Sequence, residues 1–285
     1  MVKTIGNPLS WTMHGLADAA GHVTQTVERI GGQEHVTPRV RALTHEDLRE
    51  ALRRGRADFA AARTDVMFIC LIYPAMGLML AALGLNMNML PILFPVAAGF
   101  ALLGPFAAVG LYEVSRQREA GQEVSWLAAL NVIRSPNFGA MVVLGLYLAA
   151  LFLAWLLTAH AIWALTLGPV PPASIAEFAS AVLTTGAGWA MMVIGIAVGF
   201  VFALAVLVTS AVSFPLLLDR NIGVPAAIAT SYKVFRANPR MMMTWGAMVA
   251  TLLVLGSIPA FIGLIIVLPL LGHATWHLYR RAVRF

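Results

Sequence analysis

Residues 140–165, AMVVLGLYLAALFLAWLLTAHAIWAL, decide the fold because they contain no Asp, Glu, Lys or Arg. A helix of about 20 apolar residues crosses about 30 Å of hydrocarbon, so this stretch predicts a transmembrane helix. Further apolar blocks lie at 66–85, 91–112, 189–214 and 241–271. The chain therefore predicts an all-α membrane protein with several spans.

The composition leads to the same conclusion. Hydrophobic residues make up 60% of the chain and charged residues 11%, whereas soluble domains carry about 25% charged residues. The net charge of +6 favours anionic lipid headgroups as partners, and no nucleic-acid partner is expected. A single cysteine excludes an intrachain disulfide framework and a Cys-rich metal cluster.

The last apolar block decides the number of spans. As one helix, residues 241–271 would be about 45 Å long at 1.5 Å per residue, and Gly256, Pro259 and Gly263 offer a place to turn. Lys and Arg are enriched in cytoplasmic loops. Two spans here place all 19 basic residues on one side, whereas a single span would leave three C-terminal arginines outside. We therefore predict six spans with cytoplasmic N- and C-termini.

The chain divides into two parts. Residues 1–43 mix Gly, Thr, His, Gln and charge without an apolar period, which predicts a mobile cytoplasmic tail. Residues 44–285 are the predicted six-helix transmembrane domain.

The transmembrane domain opens with a basic amphipathic helix. It begins near Thr44, which with Asp47 approximates a capping box. Leu48, Leu52 and Phe59 share one stripe of this helix, and arginines occupy the rest. Such a helix either lies along the membrane surface or packs on the cytoplasmic ends of the spans, and the sequence leaves both open.

A short motif recurs before alternate spans. NVIRSPN at 131–137 precedes the third span, KVFRANP at 233–239 precedes the fifth, and FAAARTD at 59–65 is a looser copy before the first. The repeat predicts three helix hairpins, each preceded by an amphipathic surface helix. The alternative is convergence, since any junction between a helix, a turn and a span favours Arg, Asn and Pro.

Several strings resemble a known family. They are Gly55-x-x-Asp58-Phe59, Tyr73-Pro74-x-x-Gly77, GFALLGPF at 99–106, GLYE at 110–113, FPLLLDR at 214–220 and LGHATWHLYR at 271–280. Together they resemble the proteobacterial predicted integral membrane proteins catalogued as domain of unknown function 2189, over roughly residues 46–284. The resemblance implies a bacterial inner-membrane location and assigns no catalytic residues.

His273 and His277 form the sharpest candidate site. At i and i+4 of a helix they share a face, which suits a metal ion or haem iron. They also lie beside Trp276, Tyr279 and Arg280, where an interfacial belt would place histidine without a cofactor. A structural or interfacial role is favoured, and metal or haem binding and proton handling stay open as alternatives.

Acidic residues end several predicted spans. Asp65, Glu113 and Asp219 each lie at a predicted cytoplasmic end with arginine close in sequence, as in Arg116 and Arg220. Ion pairs there lower the cost of a carboxylate at the headgroup boundary. A cytoplasmic gate or substrate mouth is the functional alternative.

Small residues predict close helix contacts. Gly195-x-x-x-Gly199 in the fourth span permits close packing, either within the bundle or against a partner subunit. The chain contains no phosphate-binding Gly-Lys-Ser/Thr, no Gly-x-Ser-x-Gly and no His-Glu-x-x-His, so we expect no enzyme activity.

Three functions remain open. The first is a non-enzymatic accessory, scaffold or assembly component of a membrane complex, with a respiratory complex as one candidate partner. The second is a transporter or channel for a small or lipophilic solute. The third is a haem- or metal-binding respiratory accessory protein, which rests on the two histidines alone.

The predicted topology is tested by reporter fusions. Fusions after Gly121, Gly223 and Phe285 are expected to report cytoplasm, and fusions near Asn88 and Ser174 the opposite side, because this arrangement keeps every basic loop inside. An external signal at Phe285 would contradict six spans and leave the last block as one long helix.

Overall fold

The computed structural model describes residues 37–61, 72–122 and 126–285. Its α-helices are α1 (His45–Ala61), α2 (Ile72–Gly84), α3 (Leu90–Phe100), α4 (Gly104–Ala107), α5 (Val109–Glu119), α6 (Phe138–Thr166), α7 (Ile175–Thr184), α8 (Gly186–Ser210), α9 (Ser213–Asp219), α10 (Val224–Ala237), α11 (Pro239–Ser257) and α12 (Leu264–Ala282). Two 3-10 helices cover Ala101–Leu103 and Trp126–Arg134, and two short strands are β1 (Arg39–Val40) and β2 (Val283–Arg284).

The predicted class, an all-α membrane protein, is confirmed. Within the described residues, 4 helical stretches are long and apolar enough to cross a membrane, namely Leu90–Glu119, Phe138–Thr166, Gly186–Asp219 and Pro239–Ser257. The predicted first span, 66–85, lies partly outside the described residues. The predicted sixth span corresponds to α12, whose second half carries histidines and arginines. The six-span count and the three hairpins stay predictions.

The last apolar block is divided as the sequence indicates. α11 ends at Ser257 and α12 begins at Leu264. In the turn between them, Ala260 and Phe261 have φ angles of 49° and 65°, a left-handed conformation that disfavours residues with a Cβ atom. A Cβ on Gly77 of α2 would lie 2.5 Å from the Phe261 ring. The ring thus packs directly on α2, and this contact helps to hold the turn.

Helix α1 packs along α12. Its buried residues are Asp47, Leu48, Ala51, Gly55 and Asp58. A Cβ on Gly55 would lie 2.5 Å from the Ala274 backbone nitrogen, so glycine permits the close approach of the two helices. Of the two environments predicted for this helix, the structure therefore places it against a neighbouring helix.

The buried stripe of α1 differs from the predicted one. Leu48 is buried, but Leu52 and Phe59 lie half-buried at its edge. The stripe is rotated because the small Ala51 and Gly55 face α12 and the large apolar side chains flank them.

The N-terminal segment is docked where a mobile tail was predicted. β1 pairs antiparallel with β2, with Arg39 opposite Arg284. The N–H of Arg41 donates to the Ala282 carbonyl at 2.9 Å, and the N–H of buried Leu43 donates to Asn238 Oδ1 at 2.7 Å. The predicted domain boundary after residue 43 is thus too late, and residues 1–36 lie outside the described residues.

The asparagines of the recurring motif have similar roles. Asn137 precedes α6, and its Nδ2 donates to the carbonyls of Leu217 and Arg220 at 2.8 and 3.1 Å. Asn238 precedes α11, and its Nδ2 donates to the Arg41 carbonyl at 3.0 Å. Each asparagine therefore ties the start of one span to a neighbouring segment. The 3-10 helix Trp126–Arg134 and α10 occupy the positions of the predicted surface helices before these spans.

Helix ends with polar side chains meet on one side of the molecule. We call this region the polar layer and define it as α1, residues 113–119 of α5, α9 and residues 273–284. Because α12 contacts α1, α5 and α9, its second half is the centre of the polar layer.

Candidate functional site

Four buried polar side chains from three helices meet inside the polar layer. Asp58 comes from α1, Ser115 from α5, and His273 and His277 from α12. The exposed fractions of Ser115 and His273 are 0%, and those of Asp58 and His277 are 7%. We call these four residues the Asp58 cluster.

Asp58 is the shared acceptor of the cluster. Ser115 Oγ donates to Asp58 Oδ2 at 2.6 Å, and His277 Nε2 lies 2.8 Å from the same oxygen. Arg118 Nε donates to Oδ1 at 3.1 Å. Both carboxylate oxygens therefore accept hydrogen bonds, and one of them is paired with a cation. A buried carboxylate requires such partners.

The direction of donation fixes the histidine protons. Ser115 has one hydroxyl hydrogen and gives it to Asp58, so His273 Nδ1, 2.8 Å from Ser115 Oγ, carries the hydrogen of that contact. His277 Nε2 donates to Asp58 because an ionised carboxylate can only accept a hydrogen bond. His273 Nε2 is then a buried nitrogen that has no hydrogen-bond partner within the described residues.

The electrostatics favour an ionised Asp58. Burial raises the pKa of its carboxyl, but hydrogen bonds from His277 and Ser115 more than offset this and lower the pKa below its usual value. The residue types are those of a serine-hydrolase triad, but their order differs. Ser115 gives its proton to the carboxylate instead of to a histidine base, so this geometry does not activate the serine as a nucleophile.

More carboxylates bind the second half of α12. Arg281 Nη1 donates to Asp47 Oδ1 at 2.7 Å, and Tyr279 Oη donates to Asp219 Oδ2 at 2.6 Å. Trp276 Nε1 donates to Glu119 Oε2 at 2.9 Å. Burial raises the pKa of Asp47, but hydrogen bonds from Arg281 and Thr44 lower it by more, so the pKa lies below its usual value. Acids on α1, α5 and α9 therefore all converge on this helix.

The residues predicted as ion pairs fall into different settings. Within α5, Arg116 Nε donates to Glu113 Oε2 at 2.7 Å. The Arg220–Asp219 contact is longer, at 3.9 Å, because Asp219 is turned toward Tyr279. Asp65 lies outside the described residues.

The structure gives the two histidines surroundings inside the protein. His273 and His277 are buried among protein side chains, as are Trp276 and Tyr279. The described residues contain no group of three or more His, Cys, Asp or Glu side chains arranged to hold a metal ion. Metal or haem binding at these histidines stays an untested prediction.

The two glycines predicted to permit close helix packing, Gly195 and Gly199, have different surroundings. A Cβ on Gly199 would lie 3.1 Å from the Trp155 ring of α6, whereas a Cβ on Gly195 would have nothing within 4 Å. Gly199 therefore serves packing inside the chain, and Gly195 faces an open surface.

The sequence contains a signal for Asp58, which the prediction missed. Asp58 falls on the same helical stripe as Leu48, Ala51 and Gly55, at spacings of three and four. An acidic residue in a buried stripe requires partners. Ser115 carried no comparable signal, because serine is common at helix ends without a functional role.

The apolar spans and the polar layer define an integral membrane protein. The family described as predicted integral membrane protein (DUF2189) matches residues 93–219, so the resemblance is confirmed for α4 to α9 and most of α3. Ser115 and Arg118 lie inside the matched segment, whereas Asp58 and the histidines lie outside it. No curated protein and no solved structure matches the chain.

The Asp58 cluster predicts a specific acid sensitivity. The folded-state pKa of Asp58 lies below its usual value, so its charged form stabilises the fold above about pH 4, and the contribution is lost as the pH falls through the folded-state pKa. Asp58→Asn should lower the free energy of unfolding by about 2 to 3 kcal/mol at pH 7, with a smaller difference near pH 3.

Thermal or denaturant unfolding of the detergent-solubilised protein measures this difference. Glu46→Gln is the control, since Glu46 is an exposed acid on the same helix that contacts Arg49 at 3.8 Å, and it should change stability by well under 1 kcal/mol. Equal effects of the two substitutions would contradict the assignment of Asp58 as the shared acceptor.

Proposed function

We propose that the protein is a non-enzymatic accessory, scaffold or assembly component of a bacterial inner-membrane complex. In this proposal it has six spans and cytoplasmic termini. The contacts of the polar layer support it, because its acids pair with side chains of the same chain. Polar groups that satisfy one another stabilise a framework and leave little free for chemistry.

The observation that carries the proposal is the open surface of α8. In the helical stretch Gly186–Asp219, 6% of the most apolar 18 residues are buried, compared with 33% in Phe138–Thr166. Val193, Ile196 and Phe200 are more than half exposed. Lipid covers such a surface in a lone subunit, and a partner helix covers it in a complex.

Gly195 favours the partner. It lies on α8 with open space where its Cβ would be. Small residues let the backbones of two membrane helices approach closely, and they are enriched where such helices associate. Helix α8 thus offers an apolar surface and, at Gly195, a point of close approach next to the exposed Ile196.

The cytoplasmic orientation is supported by charge. The polar layer contains basic residues of α1, α5 and α12, and Arg41 and Arg220 adjoin it, and basic residues favour the cytoplasmic face. The side carrying the polar layer is therefore the proposed cytoplasmic side.

One observation favours a transporter as the second candidate. The stretch Leu90–Glu119 is interrupted by the 3-10 helix Ala101–Leu103 and by a turn at Ala108. Discontinuous spans line the substrate sites of many transporters. A solute that passes beside α3 to α5 would enter near the Asp58 cluster.

Site-specific cross-linking distinguishes the two candidates. A photoreactive residue in place of Ile196, which is 67% exposed on α8, should capture one defined membrane protein in native membranes. The matched control replaces Leu157, which is 72% exposed on α6, and should capture lipid. Identical products at both positions would contradict a partner on α8, and solute uptake by proteoliposomes of the purified protein would then favour the transporter.

A further inference from the structure

A basic cleft adjoins the Asp58 cluster. Its volume is about 220 Å³, and it is lined by Arg41, Arg54, Glu119, Arg280, Arg281 and Arg284, with His277 at its inner side. The lining therefore includes five arginines and one glutamate, and Arg280 is paired with that glutamate and with Asp219. These residues come from the N-terminal segment, α1, α5 and the C-terminus, so folding builds the cleft from distant parts of the chain.

Two of the arginines are held in place from behind. Arg281 Nη1 donates to Asp47 Oδ1 at 2.7 Å, and Arg54 Nε donates to Glu50 Oε1 at 2.8 Å. A guanidinium has five N–H donors, so one such contact leaves donors for a ligand. The acids fix the positions of these side chains without occupying the cleft.

Arg41 and Arg284 of the same cleft are less closely paired with acids. Arg41 Nη2 reaches Asp47 Oδ1 only at 3.5 Å, and Arg284 has no ion pair among the described residues. Arg284 also stands directly opposite Arg39 in the β1–β2 pair, and both side chains are exposed. Like charges directly opposite each other destabilise a strand pair, and an anion between them would remove that repulsion.

We propose that this cleft binds a phosphate group, carried either by a lipid headgroup or by a soluble phosphate compound. Arginine forks match the oxygens of phosphate in two-point contacts. The cleft is smaller than the 300–1,000 Å³ typical of pockets for drug-sized ligands, which suits a single phosphate group. Basic residues at the membrane boundary also attract anionic lipids.

This site does not depend on the proposed accessory role. Bound phosphate would bridge the N-terminal strand, α1 and the C-terminal strand, and would thereby fasten both ends of the described chain to the polar layer. Binding and partner capture are measured separately, so either can fail alone.

The test uses the full-length protein in uncharged detergent with two matched double variants. Arg41→Gln with Arg284→Gln removes the two weakly paired cations of the cleft. The control, Arg236→Gln with Arg240→Gln, removes two exposed arginines outside the cleft and makes the same change in net charge. Unchanged circular dichroism and melting would show that both variants fold.

Two binding arms identify the source of the phosphate group. Calorimetric titration with inorganic phosphate at constant ionic strength reports binding of soluble phosphate. Native mass spectrometry after incubation with phosphatidylglycerol reports binding of an anionic headgroup, and phosphatidylcholine serves as the zwitterionic comparison. We expect the wild type and the control to bind in at least one arm, and the cleft variant to bind at least 10-fold more weakly there.

The proposal is overturned by either of two results. The first is a wild type that binds neither inorganic phosphate nor phosphatidylglycerol. The second is equal weakening of binding by the cleft variant and the control, which would indicate attraction to net charge alone. Binding of phosphatidylglycerol without inorganic phosphate assigns the site to a lipid headgroup, and the reverse assigns it to a soluble compound.

Discussion

A carboxylate removed from water stabilises a fold only when charge and hydrogen bonds replace the water, and Asp58 meets that condition with groups on two other helices. Ser115 and Arg118 approach it from α5, and His277 approaches it from α12. None of these contacts survives if α1 shifts relative to either helix. The close backbone contact at Gly55 and the cleft beside His277 both follow from this fixed position of α1.

The periodicity and charge of the sequence predict the membrane class and the division of the last apolar block. They do not predict the Asp58 cluster, because its contacts join residues 57 and 219 positions apart. Local patterns also misplaced the buried face of α1: a search for large apolar side chains overlooks a stripe built on Ala51 and Gly55. The docking of residues 39–43 escaped prediction because strand pairing with the C-terminus leaves no local signature.

The histidines show how burial changes a prediction. Neighbouring aromatic and basic residues favoured an interface for His273 and His277, since such residues gather at headgroup level. The same residues instead bond to carboxylates of other helices: Trp276 to Glu119 and Tyr279 to Asp219. The second half of α12, which acids of other helices surround, is therefore the packing core of the polar layer. The less closely paired arginines of the cleft lie at the edge of this core.

The coupling between Asp58 and His277 tests this account most directly. A double-mutant cycle with Asp58→Asn, His277→Gln and both together would compare free energies of unfolding in one detergent. Because the two side chains share a buried contact of 2.8 Å, the account predicts a coupling energy of about 1 to 3 kcal/mol. Effects that add to within about 0.5 kcal/mol would contradict the claim that this contact holds α1 on α12.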